Sequence, residues 1–167
     1  LGENPDAIFN VGATSIDAIK QATYLSRHEF FTAIEFIPRK YNLLITFHPV
    51  TLGASSSSEQ FSSLLEALDQ LGSDFGLIFT RPNADTEGRR LMCLLDAYVE
   101  GHENARAYDS LGANYLNALK HVDMVVGNSS SGIYEAPSFG VPTINIGDRQ
   151  KGRLQADSVT NCQPHAG

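Results

Sequence analysis

The segment Gly127-Asn128-Ser129-Ser130-Ser131-Gly132-Ile133-Tyr134-Glu135 carries the strongest chemical signal in the chain. It is a glycine-bounded polar loop between an apolar run and a helical pattern. Such a loop offers unpaired backbone N–H groups, a helix start and rotatable hydroxyl donors, which together suit a phosphate. The same residues also make a serine N-cap that binds nothing, and the motif alone leaves both readings open. Glu135 lies three to four residues into the helix. An acid there would repel a phosphate, so it suits ribose hydroxyls, or else stands in solvent complementing the helix dipole.

A second cluster is Gly147-Asp148-Arg149-Gln150-Lys151-Gly152-Arg153. Guanidinium forks match phosphate oxygens two at a time, so this loop reads as a pyrophosphate clamp or as a solvated charge cluster. His48, ahead of Pro49, suits donation to a phosphate or proton transfer, or a structural role. Asn83 and Asp85 stand in Arg81-Pro82-Asn83-Ala84-Asp85, where they would contact a sugar or cap the next helix. Neither the loop at 81–85 nor the one at 127–132 is a Walker or GxGxxG phosphate loop. No cofactor and no metal site is expected, and Cys93 and Cys162 do not form a metal motif.

The elements around these residues alternate. Short apolar runs at Asn42 to Phe47, Phe75 to Thr80, Ala105 to Tyr108, Asp123 to Gly127 and Thr143 to Ile146 read as buried strands. Ala7 to Val11 reads as a further strand or the tail of one. Apolar residues at helical spacing predict helices over about 15–26, after Ser55 to Ser58, over Leu91 to Tyr98, over Tyr115 to Leu119 and over about 132–139. Glu29 to Arg39 is ambiguous, with Pro38 limiting any helix there. Cys93, within Leu91 to Leu95, is expected in the core. The alternation predicts an α/β fold: a Rossmann-like parallel sheet with helices on both faces. Ligands of such sheets gather at the carboxyl ends of the strands, where each polar cluster above falls.

The chain's 167 residues fit one domain, and 42% hydrophobic against 19% charged residues argue for a packed core. A formal net charge of -7 argues against nucleic acid and anionic membranes as partners. No apolar run reaches the roughly 18 residues of a membrane span. No cationic leader is seen, and a cytoplasmic location is expected. The absence of an initiator Met and of a closing element reads as a piece of something longer.

With these residues in view, the chain resembles the carboxyl-terminal domain of the hydrolysing UDP-N-acetylglucosamine 2-epimerases of bacterial sialic acid pathways. Four segments carry the likeness: Gly12 to Ile19 (GATSIDAI), His48 to Thr51 (HPVT), Pro82 to Asp85 (PNAD) and Gly127 to Arg153 (GNSSSGIYEAPSFGVPTINIGDRQKGR). The resemblance implies the second half of a glycosyltransferase-B type fold. Residues 1–26 would be a connector and hinge helix, and 27–167 a UDP-binding domain. It further implies that Ser129 and Ser130 bind the diphosphate, Glu135 the ribose, and Arg149 a phosphate. His48 would sit by diphosphate and sugar, Asn83 near the sugar, and Ser110 in the loop that reads uracil. The family eliminates UDP across C1–C2 of a UDP-sugar and hydrates the product to N-acetylmannosamine. Its acidic catalytic residues lie in an amino-terminal domain that this chain does not resemble, so the fragment alone is expected to be inactive and the full-length protein to be a homo-oligomer. Two other readings remain: the nucleotide-binding half of a glycosyltransferase of the same fold, and a non-catalytic flavodoxin-like module.

Overall fold

The computed structural model describes residues 4–9, 11–50, 56–82 and 86–165. The five apolar runs become β1 (Tyr41–Thr46), β2 (Phe75–Thr80), β3 (Ala105–Tyr108), β4 (Met124–Gly127) and β5 (Thr143–Ile146). A sixth strand, β6 (Val159–Cys162), gave no apolar signal: three of its four residues are exposed, and it pairs on one side only, with β5. All pairings are parallel and the order is β3-β2-β1-β4-β5-β6. The chain therefore winds one way from β1 to β3 and the other way from β4 to β6. Crossovers leave β1 and β4 in opposite directions, which opens a crevice beyond their carboxyl ends.

The helices are α1 (Thr14–Gln21), α2 (Arg27–Ala33), α3 (Ser57–Asp69), α4 (Thr86–Glu100), α5 (Tyr115–His121) and α6 (Ser131–Tyr134). Strand side chains alternate between two faces. Leu43, Ile45, Leu77 and Phe79 point to one core, closed by Phe61, Leu64 and Leu68 of α3 and by Leu91 and Leu95 of α4. Leu44, Ile78 and Val125 point to the other, closed by Phe30 and Phe31 of α2 and by Leu119 of α5. Full burial of a side chain such as Leu44 stabilises the fold by about 1.5–3 kcal/mol. Capping boxes start α2 and α3: Ser26 with Glu29 and Ser56 with Glu59 each exchange two hydrogen bonds.

Four expectations are corrected. The strand expected over Ala7 to Val11 is absent from its described residues, Asn10 lying outside them: Pro5–Ala7 form a 3-10 turn capped by Asn4, and Ile8, Phe9 and Val11 stand exposed. The helix expected over about 15–26 stops at Gln21 because the following backbone is claimed elsewhere. The Leu25 N–H donates to Asn117 Oδ1 (2.9 Å), its carbonyl lies 2.8 Å from His121 Nε2, and Ser26 caps α2. The helix expected over about 132–139 is only four residues of α-helix, followed by a 3-10 turn at Ala136–Phe139, where Pro137 has no N–H to continue the ladder. Cys93 is exposed, since Leu91, Leu95 and Tyr98 turn the opposite side of α4 to the core. The ambiguous stretch resolves as α2 ending well before Pro38.

On the α3 side, a groove of about 440 Å³ lies between Leu64 and Leu68 of α3 and Met124, Val126 and Ile144 of the sheet, with Pro164 at its rim. Among the described residues no helix is long and apolar enough to cross a membrane.

Candidate anion site at the strand-order reversal

The last paired residues of β1 and β4 are Thr46 and Gly127. Gly127 has φ +136°, and a Cβ there would stand 1.9 Å from the Thr46 carbonyl oxygen. Only glycine lets the two strands end this close together. The next residue, Asn128, is fully buried. Its N–H donates to the Thr46 carbonyl (3.1 Å). Its side-chain Oδ1 accepts from the His48 N–H (2.7 Å), and its Nδ2 donates to the His48 carbonyl (2.8 Å). The Asn128 carbonyl accepts from Arg149 Nη1 (3.0 Å) and from Gln150 Nε2 (2.7 Å). One residue thus ties together the segments that follow β1, β4 and β5.

This arrangement brings His48 and Arg149 to the same crevice, with Ser129 and Ser130 directly beyond Asn128. His48 is half-buried. Loss of water and the Arg149 charge both hold its imidazole below the ordinary histidine range, so it is neutral at pH 7. Arg149 is exposed. Partial desolvation first, and the Arg153 charge second, hold its value below that of a free guanidinium, and it remains a cation at pH 7. Arg153 lies 5.4 Å from the ring centroid of Tyr134 on α6. Among the described residues neither arginine has a carboxylate within ion-pair distance; the loop's one ion pair joins Lys151 to Asp148 at 3.7 Å. Two uncompensated guanidiniums beside a neutral imidazole form a local positive field in an acidic protein.

The serines divide. Ser130 occupies the N-cap position of α6 in a helical conformation, and its side chain makes no capping bond. Its hydroxyl is therefore not consumed by the ligand-free capping role. Ser129 Oγ accepts from the Ser131 N–H at 3.4 Å. Ser131 is packed inside, 2.5 Å from the Tyr115 hydroxyl. Burial pushes the Tyr115 phenol up to about 12, so it stays protonated, and its interaction with Glu135 adds to the rise. Tyr115 begins α5 and so joins the segment after β3 to the one after β4, with Glu135 alongside. Because α6 has only four residues, its dipole is weak. Attraction for an anion rests instead on Arg149, Arg153 and backbone donors.

Ser110 is exposed in the segment after β3, where its hydroxyl accepts from the Gly112 N–H at 3.0 Å. Among the described residues no hydrogen bond joins it to His48 or Arg149. Asn83 and Asp85 lie outside the described residues. Sequence reasoning missed Asn128, Gln150 and Tyr115. Asn128 stood inside the quoted motif, and its position right after a β4 glycine was the available signal. Gln150 looked like a solvated loop residue and Tyr115 like part of a weak helical stripe.

A family model described as UDP-N-acetylglucosamine 2-epimerase matches residues 1–167. The GDP/UDP-N,N'-diacetylbacillosamine 2-epimerase (hydrolyzing) of Campylobacter jejuni is 38% identical over 165 residues, covering 98% of this chain and 43% of that protein. The UDP-N,N'-diacetylbacillosamine 2-epimerase (hydrolyzing) of Legionella pneumophila is 34% identical over 160 residues, covering 95% and 42%. Among solved structures, the S. aureus MnaA–UDP co-structure matches with a TM-score of 0.62 at 19% identity, over 86% of this chain and 37% of that one. At that identity the likeness is one of fold, and it agrees with half of a glycosyltransferase-B type architecture. The chain spans well under half the length of each of these proteins.

Proposed function

The chain belongs to the UDP-N-acetylglucosamine 2-epimerase family, and from that premise we propose that it is the half that grips the UDP of a UDP-sugar substrate. The observation that carries the reading is the Arg149 guanidinium, close to the half-buried His48 and to Arg153 and without a carboxylate in ion-pair reach among the described residues. In this reading Arg149 and the Ser129–Ser130 segment hold the diphosphate, and Glu135 accepts the ribose hydroxyls. The Ser110 segment reads the uracil, and Asn83 is assigned to the sugar by the family resemblance alone.

The chemistry follows from charge. Departure of UDP from C1 builds negative charge on the β-phosphate oxygen, and donors already fixed there stabilise that charge without reorganising. His48 is neutral before substrate arrives and sits next to Arg149. The negative charge of the bound diphosphate raises the proton affinity of His48, which takes a proton from solvent; the imidazolium hydrogen-bonds the leaving oxygen, transfers that proton to it and returns to the neutral form. The proton at C2 must be removed by a base; among the described residues at the site Glu135 is assigned to the ribose and Asp148 is paired with Lys151. The family resemblance assigns the base to an amino-terminal domain, and in this reading the isolated chain is a binder without turnover. The whole enzyme then yields the free 2-epimer, N-acetylmannosamine in the case of UDP-N-acetylglucosamine. A 4-acetamido sugar is the second reading, favoured by the names of the two relatives above.

Calorimetry with UDP tests the proposal. The wild-type chain binds, and Arg149→Ala weakens binding by about ten- to a hundredfold, the loss of a charge-assisted phosphate contact. Absence of binding, or equal binding by the variant, would favour the non-catalytic module.

A further inference from the structure

We propose that Asn128 is a positioning residue that makes His48 and Arg149 act as one unit toward the diphosphate. The inference rests on the UDP-binding reading above. The parallel ladder between β1 and β4 ends at Thr46 and Gly127, so beyond it the His48 backbone has lost its strand partner. The Asn128 side-chain amide supplies one. It accepts the His48 N–H and donates to the His48 carbonyl, so one side chain satisfies both backbone groups, and does so fully buried. A two-point amide contact fixes both the position and the rotation of the His48 peptide. A hydroxyl or a single acceptor would not.

The backbone of the same residue performs the second task. Its carbonyl receives the guanidinium of Arg149 and the amide of Gln150, which is 1% exposed. A carbonyl facing a guanidinium holds it without neutralising it, so Arg149 keeps its charge for a ligand while losing its freedom. Gln150, immobilised by burial, keeps the adjacent peptide in register. Any shift of Asn128 therefore moves the imidazole-bearing segment and the guanidinium together. The depressed histidine value is a consequence, since it needs both desolvation and the nearby Arg149.

The experiment compares Asn128→Ala and the uncharged Asn128→Ser with the parent chain, using UDP as the probe and NMR titration of the His48 imidazole. In the parent, Arg149→Ala costs about ten- to a hundredfold in UDP affinity. In the Asn128→Ala background the same change costs less than about threefold, because without the side-chain bonds to His48 the residue-128 carbonyl that receives the guanidinium is free to shift. The His48 titration midpoint rises toward the ordinary histidine value of about 6.5 in a variant that still shows native circular dichroism. If Asn128→Ala does not fold, Asn128→Ser, which adds no charge beside the imidazole, carries the titration test. In the parent itself, the Asn128 Nδ2 protons exchange slowly with solvent. A folded variant that keeps both the depressed midpoint and the full Arg149→Ala penalty would overturn the proposal, as would fast exchange of those protons. If the parent binds no UDP, the functional reading fails, while the midpoint and the exchange rate still decide the role of Asn128.

Discussion

Two arginines stand at strand ends of the same sheet and meet opposite surroundings. Arg81 follows β2. Its Nη1 lies 2.6 Å from Asp96 on α4 and its Nε 3.1 Å from Asp109 beyond β3, while its N–H donates to the Tyr108 carbonyl. Arg149 follows β5. It meets a backbone carbonyl and a second arginine, with no carboxylate in ion-pair reach among the described residues. The first arginine is already neutralised by two acids and fastens the β2 and β3 corners to each other. The second is held in place but left with its charge. At a strand end, then, the presence or absence of carboxylates separates a structural guanidinium from one available to an anion, and sequence position alone does not.

Supplying the Arg149 corner with what the Arg81 corner has should produce the largest effect. Ser129→Asp places a carboxylate beside the free guanidiniums and in the path of the diphosphate. UDP affinity should fall by at least about tenfold in calorimetry, an electrostatic loss that added salt reduces. Arg81→Ala should do the reverse. It should lower stability by about 1 kcal/mol in denaturant unfolding, because its partners are largely exposed, and leave UDP affinity within about twofold. A change of similar size in binding would erase the distinction between the corners.

The smallest effect is a pH dependence. The folded-state value of His48 lies below its unfolded value of about 6.5. Below that pH the unfolded chain takes up a proton that the folded chain refuses. The contribution of His48 is therefore intact above about pH 6.5 and is lost as pH falls toward the lower folded value. Denaturant midpoints measured from pH 8 to pH 5 should decline less steeply in His48→Gln than in the parent. Identical slopes would contradict the desolvated imidazole.

Much of this was legible in the sequence. β1, β2, β4 and β5 were readable as largely buried apolar runs and β3 mainly by its place in the alternation with helices, which implied the parallel sheet. β6 was not, since a polar edge strand is held by backbone bonds to β5 that leave no trace in side-chain pattern. The short α6 was misread as a full helix although Pro137 was visible. The apolar spacing of Ile133 and Ala136 continued across the break and hid it. At the site, residue types such as arginine, histidine and serine announced themselves. Asn128 and Gln150 did not, because an amide's importance lies in the geometry of what it joins, here three segments separated by up to 102 positions (His48 to Gln150).

The most direct test is an NMR titration of the chain with UDP that follows His48, Asn128, Ser129, Ser130 and Arg149 together with Arg81 and Asp109. Movement of the first group along one saturable isotherm, with Arg81 and Asp109 responding weakly, is the predicted result. Separate isotherms for His48 and Arg149, or a response centred on Arg81, would contradict a single diphosphate-gripping crevice between β1 and β4.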